Sequence, residues 1–284
     1  MDTLNALILG IVQGLAEYLP ISSSGHLAIF RDILGVDLEG AKALQFDITL
    51  HVATVLSTIV ILWREFVPLC KSFFTFRRDS DFYYVCKILV SCIPIGIVGV
   101  CFKESIESLF GTNLGVVGVC LCITAALLTF SYYFRTRPLD SSPLGKKAYQ
   151  PRDITFADAF VIGIAQSVAV LPGLSRSGTT IATGILLGDK REQVAQFSFL
   201  MVIIPILGEA LLDLKDIIGG TGAEVSSATV GIMPLAVGFL ASFIVGCIAC
   251  KWMLSIVKKG KLVWFAAYCL IVGLVCLAKT YNLF

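Results

Sequence analysis

Apolar residues in this chain come in long unbroken runs, not in the short alternating or helical-face patterns of soluble domains. Residues 108–134, 225–250 and 262–278 contain no Asp, Glu, Lys or Arg. The first two exceed the roughly 20 residues that a helix needs to cross a bilayer. The pattern predicts six crossings, near 44–62, 88–102, 114–134, 196–213, 229–250 and 262–279. Two further apolar stretches, 4–30 and 155–187, are interrupted by Pro20 and by Pro172-Gly173, where a helix cannot continue normally. At membrane depth such breaks are tolerated only where the freed backbone is buried in protein or lines a polar cavity.

Loop charges set the topology. Basic residues crowd 63–87 (Arg64, Lys71, Arg77, Arg78, Lys87), 135–153 (Arg135, Arg137, Lys146, Lys147, Arg152) and 251–261 (Lys251, Lys258, Lys259, Lys261). The connectors 103–113 and 213–228 carry one Lys each, Lys103 and Lys215. Positively charged loops stay cytoplasmic, so both termini are expected outside. Each broken stretch must then return to the side it entered from, as a re-entrant helix–loop–helix element.

Composition agrees with this class. Of 284 residues, 57% are hydrophobic and 15% charged, with a mean hydropathy of +0.88, against about 25% charged in soluble domains. A net charge of +2 offers no basic surface for nucleic acid. Most of the ten cysteines lie in apolar runs, including the Cys247-x-x-Cys250 pair, and read as small buried hydrophobes. No basic segment followed by a cleavage site opens the chain, so no removable signal peptide is expected.

The two broken stretches are related. Offset by 153 residues, eight of the 23 positions in 5–27 are identical, among them Gln13/Gln166, Ser22/Ser175, Ser24/Ser177 and Gly25/Gly178. Each half therefore comprises one broken element and three crossings, giving repeats of about 1–134 and 153–284 within a single integral membrane domain, 1–284. Three crossings is an odd number, so the repeats are inverted, an arrangement that places a binding site where the broken helices meet. The fold class expected is an all-α membrane protein of six transmembrane helices plus two re-entrant helix–loop–helix elements arranged as inverted repeats.

Chemistry concentrates at the breaks. Gln13 and Glu17 are four residues apart and share a helical face; beyond Pro20 follow Ser22, Ser23, Ser24, Gly25 and His26. The second break reads Pro172-Gly-Leu-Ser175-Arg176-Ser177-Gly178-Thr179-Thr180. Free N–H groups and hydroxyls at a helix start bind anions, and an Arg fork suits phosphate. Ionisable groups at membrane depth are costly and point to function. Arg176 is the one basic residue assigned neither to a loop nor to a chain end. Asp47 and His51, also four apart, are candidates to face the same cavity.

At these residues the chain resembles the undecaprenyl-diphosphate phosphatases, the polytopic membrane enzymes associated with bacitracin resistance. The family's (E/Q)-x-x-x-E and P-x-S-S-x-G-H signatures match Gln13 to Glu17 and Pro20 to His26, and its P-G-x-S-R-S-x-x-T signature matches Pro172 to Thr180. Gln13 stands where some members carry Glu. The resemblance implies hydrolysis of undecaprenyl diphosphate to undecaprenyl phosphate and inorganic phosphate, which recycles the lipid carrier for peptidoglycan and other envelope polymers and confers bacitracin resistance. It implies a multi-pass protein of the bacterial cytoplasmic (inner) membrane with its site open to the external side. Glu17, Ser23, His26 and Arg176 are the expected catalytic residues, with Ser23 and His26 both candidates for nucleophile. Gln13, Ser22, Ser24, Ser175, Ser177 and Thr180 are expected to bind substrate, and Glu17 with Gln13 to hold Mg²⁺ or Ca²⁺. The expected partners are the prenyl diphosphate and membrane lipids, with a homodimer as the candidate assembly and no nucleic acid.

The main rival is a transporter or flippase for a prenyl phosphate or another anion, since inverted repeats with broken helices are typical of carriers. A second rival, the lipid phosphatases with a Lys-x6-Arg-Pro signature, fits poorly. The only Arg-Pro, Arg137-Pro138, has Phe130 at the Lys position, and Ala182 stands where that class needs His after Ser175-Arg176.

Overall fold

The structure, a computed structural model, describes residues 1–38, 40–102, 114–136, 151–219 and 230–281. The connectors 103–113 and 220–228 and the basic residues Arg137, Lys146 and Lys147 lie outside the described residues. Those described form helices and loops without a strand. The elements are α1 (Thr3–Ala16), α2 (Ser23–Leu34), α3 (Gly40–Ile61), α4 (Trp63–Phe74), α5 (Ser80–Cys101), α6 (Leu114–Ser131), α7 (Phe156–Val168), α8 (Arg176–Leu187), α9 (Arg191–Met201), α10 (Ile203–Gly219), α11 (Ile232–Lys258) and α12 (Val263–Thr280).

Among the described residues six helical segments are long and apolar enough to cross a membrane: Lys42–Ile61, Ser80–Cys101, Leu114–Phe134, Arg191–Leu212, Ile232–Lys258 and Val263–Thr280. Each overlaps one of the six crossings predicted from sequence. The second begins well before residue 88, because the Asp79 side chain caps the helix by accepting from the Phe82 N–H and starts it at Ser80. The fourth consists of α9 and α10 joined at Val202. Pro205 causes the joint, since its ring would clash with the carbonyl four residues earlier and it offers no N–H.

Both stretches with an internal proline are two short helices around a break, α1/α2 and α7/α8. With 14 and 13 residues, α1 and α7 are about 20 Å long at ~1.5 Å per residue, short of the ~30 Å hydrocarbon core. Each lies against a long helix of the other half, α1 on α11 and α7 on α5. Small residues allow the approach. A Cβ on Gly10 would stand 2.5 Å from the Gly238 carbonyl oxygen, and one on Gly14 would stand 2.7 Å from that of Ser242. The main core, which includes Tyr18, Leu121, Phe197, Phe199 and Met253, surrounds the breaks.

At the far end of α8, beyond its Gly188 cap, Asp189 is buried and neither carboxylate oxygen has a hydrogen-bond partner among the described residues. Burial, then the neighbouring Asp158 carboxylate, push the Asp189 carboxyl up to about 6. A carboxyl that binds its proton more tightly when folded loses stability as pH rises through that value. Asp189→Asn is therefore expected to raise the unfolding midpoint in detergent at pH 7.5, by the equivalent of about 2–3 kcal/mol. The gain should shrink steadily as pH falls from 6 towards 4; a gain independent of pH would show that the carboxylate carries no such cost.

Candidate active site

The two breaks meet. Ser22 precedes α2 with φ of 71°, and its side chain accepts from the Gly25 N–H at 3.2 Å. Ser175 holds the equivalent place before α8 and accepts from the Gly178 N–H at 3.1 Å. These caps turn two helix starts towards each other. A Cβ on Gly25 would sit 3.1 Å from Gly173, and one on Gly178 would sit 3.1 Å from Pro20. Under the offset of 153 residues the two contacts are the same contact. Across the seam, Ser177 Oγ donates to the Leu19 carbonyl at 3.3 Å, and the Gly173 N–H donates to Ser24 Oγ at 3.5 Å.

Glu17, the first residue past α1, stands at this seam with its side chain largely buried. Its Oε2 accepts from Ser23 Oγ at 2.7 Å and from Gln13 Nε2 at 3.0 Å. Two further side chains flank it, Arg176 Nη2 at 3.8 Å from Oε1 and His51 Nε2 at 3.8 Å from Oε2. The carboxylate is thus a hydrogen-bond hub into which Ser23 already points its proton. Glu17 and Arg176 line a cavity together with Ser177, Tyr18, Thr54, Thr58 and Ser198, its wall completed by Val55, Phe199, Val202 and Ile206. The lining combines a carboxylate and a guanidinium with apolar side chains, which suits an anionic head on a hydrocarbon tail.

The other expected site residues divide by place. Ser22 and Ser175 are spent as caps, and the Ser175 N–H donates to Thr124 Oγ1 at 3.1 Å. Ser24 and Ser177 bridge the breaks. The Thr180 hydroxyl is shared with Ser198 Oγ at 2.6 Å. His26 is not brought to Glu17: its Nδ1–H donates to the Ser22 carbonyl at 2.8 Å. That leaves Nε2 to accept from the Tyr268 hydroxyl of α12, also at 2.8 Å. The two rings stack, 17° from parallel. Asp47 turns away to pair with Arg31, while its helical neighbour His51 faces Glu17.

Sequence reading missed Tyr18 and Tyr268. The Tyr18 hydroxyl donates to the Thr54 carbonyl at 2.6 Å and lies against the hydroxyls of Ser57 and Thr58, fixing the cavity wall to α3. Its place beside Glu17 was a signal. Tyr268, 242 residues from His26, gave none.

A divalent cation fits this donor set in one manner. Gln13 Oε1 is a buried acceptor without a partner among the described residues, one helical turn from the Glu17 carboxylate. Among the described residues no group of three or more His, Cys, Asp or Glu converges. Two oxygen donors suit a hard cation that keeps waters and takes its remaining ligands from substrate phosphate.

Residues 6–275 match the family described as "Bacitracin resistance protein BacA". A protein of Parabacteroides distasonis named undecaprenyl-diphosphatase is 54% identical over 280 residues, 99% of each chain. One of Bacteroides fragilis with the same name is 55% identical over 275 residues, 97% of each. Another from Christiangramia forsetii is 41% identical over 281 residues, 99% of each. With the paired breaks and their Gln13–Glu17, Ser23 and Arg176 cluster embedded in a match of this length, the chain belongs to the bacitracin resistance protein BacA family.

Proposed function

We propose that this protein hydrolyses undecaprenyl diphosphate to undecaprenyl phosphate and inorganic phosphate, recycling a lipid carrier and conferring bacitracin resistance. The observation that carries the reading is Glu17 accepting the Ser23 hydroxyl hydrogen bond beside Arg176, where Glu17 and Arg176 line a cavity that also has apolar walls. Close relatives of nearly equal length carry that activity in their names.

Breaking a phosphoanhydride needs charge neutralisation and an aligned nucleophile. The Arg176 guanidinium takes the terminal phosphate, aided by N–H groups at the starts of α2 and α8. Ser23 Oγ attacks the terminal phosphorus as Glu17 takes its proton. The bond from that phosphorus to the bridging oxygen breaks, and its electron pair leaves with undecaprenyl phosphate. A phosphate monoester is stable as an anion at neutral pH, so departure needs no proton donor, consistent with His26 being engaged by Tyr268. Water then attacks the phosphoserine phosphorus; the bond to Ser23 Oγ breaks as Glu17 returns its proton to that oxygen, and inorganic phosphate leaves carrying the protons of the water. Mg²⁺ or Ca²⁺, held by Glu17 and Gln13 Oε1, would add charge neutralisation at the diphosphate.

The two broken elements are read as re-entrant and the halves as inverted repeats. The crossed placement of α1 on α11 and α7 on α5, and the repeated contact between the breaks, support this. Basic loops on the cytoplasmic side of the inner membrane leave the first break entering from outside, and the site open there. Phosphate release by the purified protein from a prenyl diphosphate with Mg²⁺ or Ca²⁺ tests the reading. Translocation of lipid phosphate without release would establish the transporter instead.

A further inference from the structure

The corner between α4 and α5 carries a surface that the site does not use. Along α4, Trp63, Val67 and Phe74 recur at intervals of four and seven and so form one stripe. All three are exposed, Trp63 by 58% and Phe74 by 76%, while Leu69 and Ser72 face the protein. Arg64 and Lys71, also seven apart, run beside this stripe. The turn into α5 adds Phe76 and Arg78, both with positive φ (51° and 53°), and leaves Phe76 72% exposed.

This corner is held in place. Ser72 Oγ donates to the Asp79 carboxylate, which also caps α5 through the Phe82 N–H at 3.0 Å. The rings of Phe73 and Phe76 flank Phe82, at 5.8 and 6.3 Å between centroids. An apolar face is therefore fixed outward. Among the described residues no carboxylate lies within 4 Å of Arg64, Lys71, Arg77 or Arg78, although Arg77 is near enough to Asp79 to act on it electrostatically. Arg31, Arg152, Arg176, Lys190, Lys258 and Lys279 each have one. The acids on this stretch are Glu65 on α4, Asp79, engaged as described, and Asp81 in the first turn of α5, three against four basic groups.

We propose that the α4–α5 corner is a docking surface for anionic phospholipid headgroups of the surrounding bilayer. Trp63, Val67, Phe74 and Phe76 enter the interface beside the acyl chains, and Arg64, Lys71, Arg77 and Arg78 engage the headgroup phosphates. A lipid supplies both halves of the match, an anion joined to hydrocarbon. A second copy packed on the same face would instead bring four cations against four more. The proposal is independent of the reading of the catalytic site.

The test uses a W252F/W264F background, which leaves Trp63 as the sole tryptophan of three, reconstituted in vesicles. Trp63 emission is titrated with brominated phosphatidylglycerol and, separately, with brominated phosphatidylcholine. The anionic lipid is expected to quench at a mole fraction lower by on the order of fivefold, a preference that shrinks at high salt. R64Q/K71Q/R77Q/R78Q should remove the preference, and R77Q/R78Q, at the exposed turn, should roughly halve it if the fourfold variant fails to fold. Equal quenching by both lipids, or a preference that survives these substitutions, overturns the proposal. So does a Trp63 that neither lipid reaches in a particle of two chains, which would assign the corner to a homodimer.

Discussion

Arg176→Ala is expected to lower phosphate release from a prenyl diphosphate by about 10³-fold, equivalent to about 4 kcal/mol of transition-state stabilisation. Arg176 opens α8, so the guanidinium and the free N–H groups of the helix start converge on the same volume. It stands 3.8 Å from Glu17, close enough to feel the carboxylate yet outside hydrogen-bond range, so its fork remains available to an incoming anion. Arg176→Lys keeps the charge without the fork and should recover only part of the rate. Release near the unsubstituted rate by Arg176→Ala, in protein whose thermal unfolding is unchanged, would remove the phosphate clamp from the mechanism.

Ser23→Ala is expected to reduce release at least as severely, since it removes the attacking oxygen. Glu17→Gln should follow it closely, because a neutral amide does not accept the Ser23 proton as a base does. The decisive readout is the covalent intermediate. Protein quenched in acid during turnover of a substrate labelled at the terminal phosphate should retain label that is stable to acid and lost in base, as for a phosphoserine. Acid-labile label would instead mark a phosphohistidine and return the nucleophile to His26, and Ser23→Ala that still turned over freely would do the same.

Much of this molecule was legible in the chain because bilayers impose coarse rules. Uncharged runs of the right length, and proline where a helix must stop, place the six long helices and both breaks. Spacing likewise put Gln13 and Glu17 on one face, and the 153-residue offset put Ser23 opposite Arg176. What remained hidden depends on side-chain direction across distant helices. His26 and Tyr268 belong to helices at opposite ends of the chain, so nothing periodic links them. Asp47 and His51 share a helical face, yet Arg31 draws the first away while the second stays at Glu17. The Ser22 and Ser175 hydroxyls, expected from the motif to bind substrate, also cap the starts of α2 and α8, a role the motif alone does not reveal.

The repeated contact between the breaks, Gly25 on Gly173 and Gly178 on Pro20, has a consequence for the division of labour. A scaffold that meets itself this way offers two equivalent stations, and the chain has furnished them differently. At the station where the first half carries Glu17 and Ser23, the second carries Val170 and Arg176. In the proposed mechanism one half supplies the base and the attacking oxygen, and the other supplies the positive charge. Two identical halves would give either a pair of nucleophiles with nothing to hold the anion or a pair of cations with nothing to attack it. On that reading, joining two unlike stations in one chain would let a nearly symmetric seam perform an asymmetric reaction.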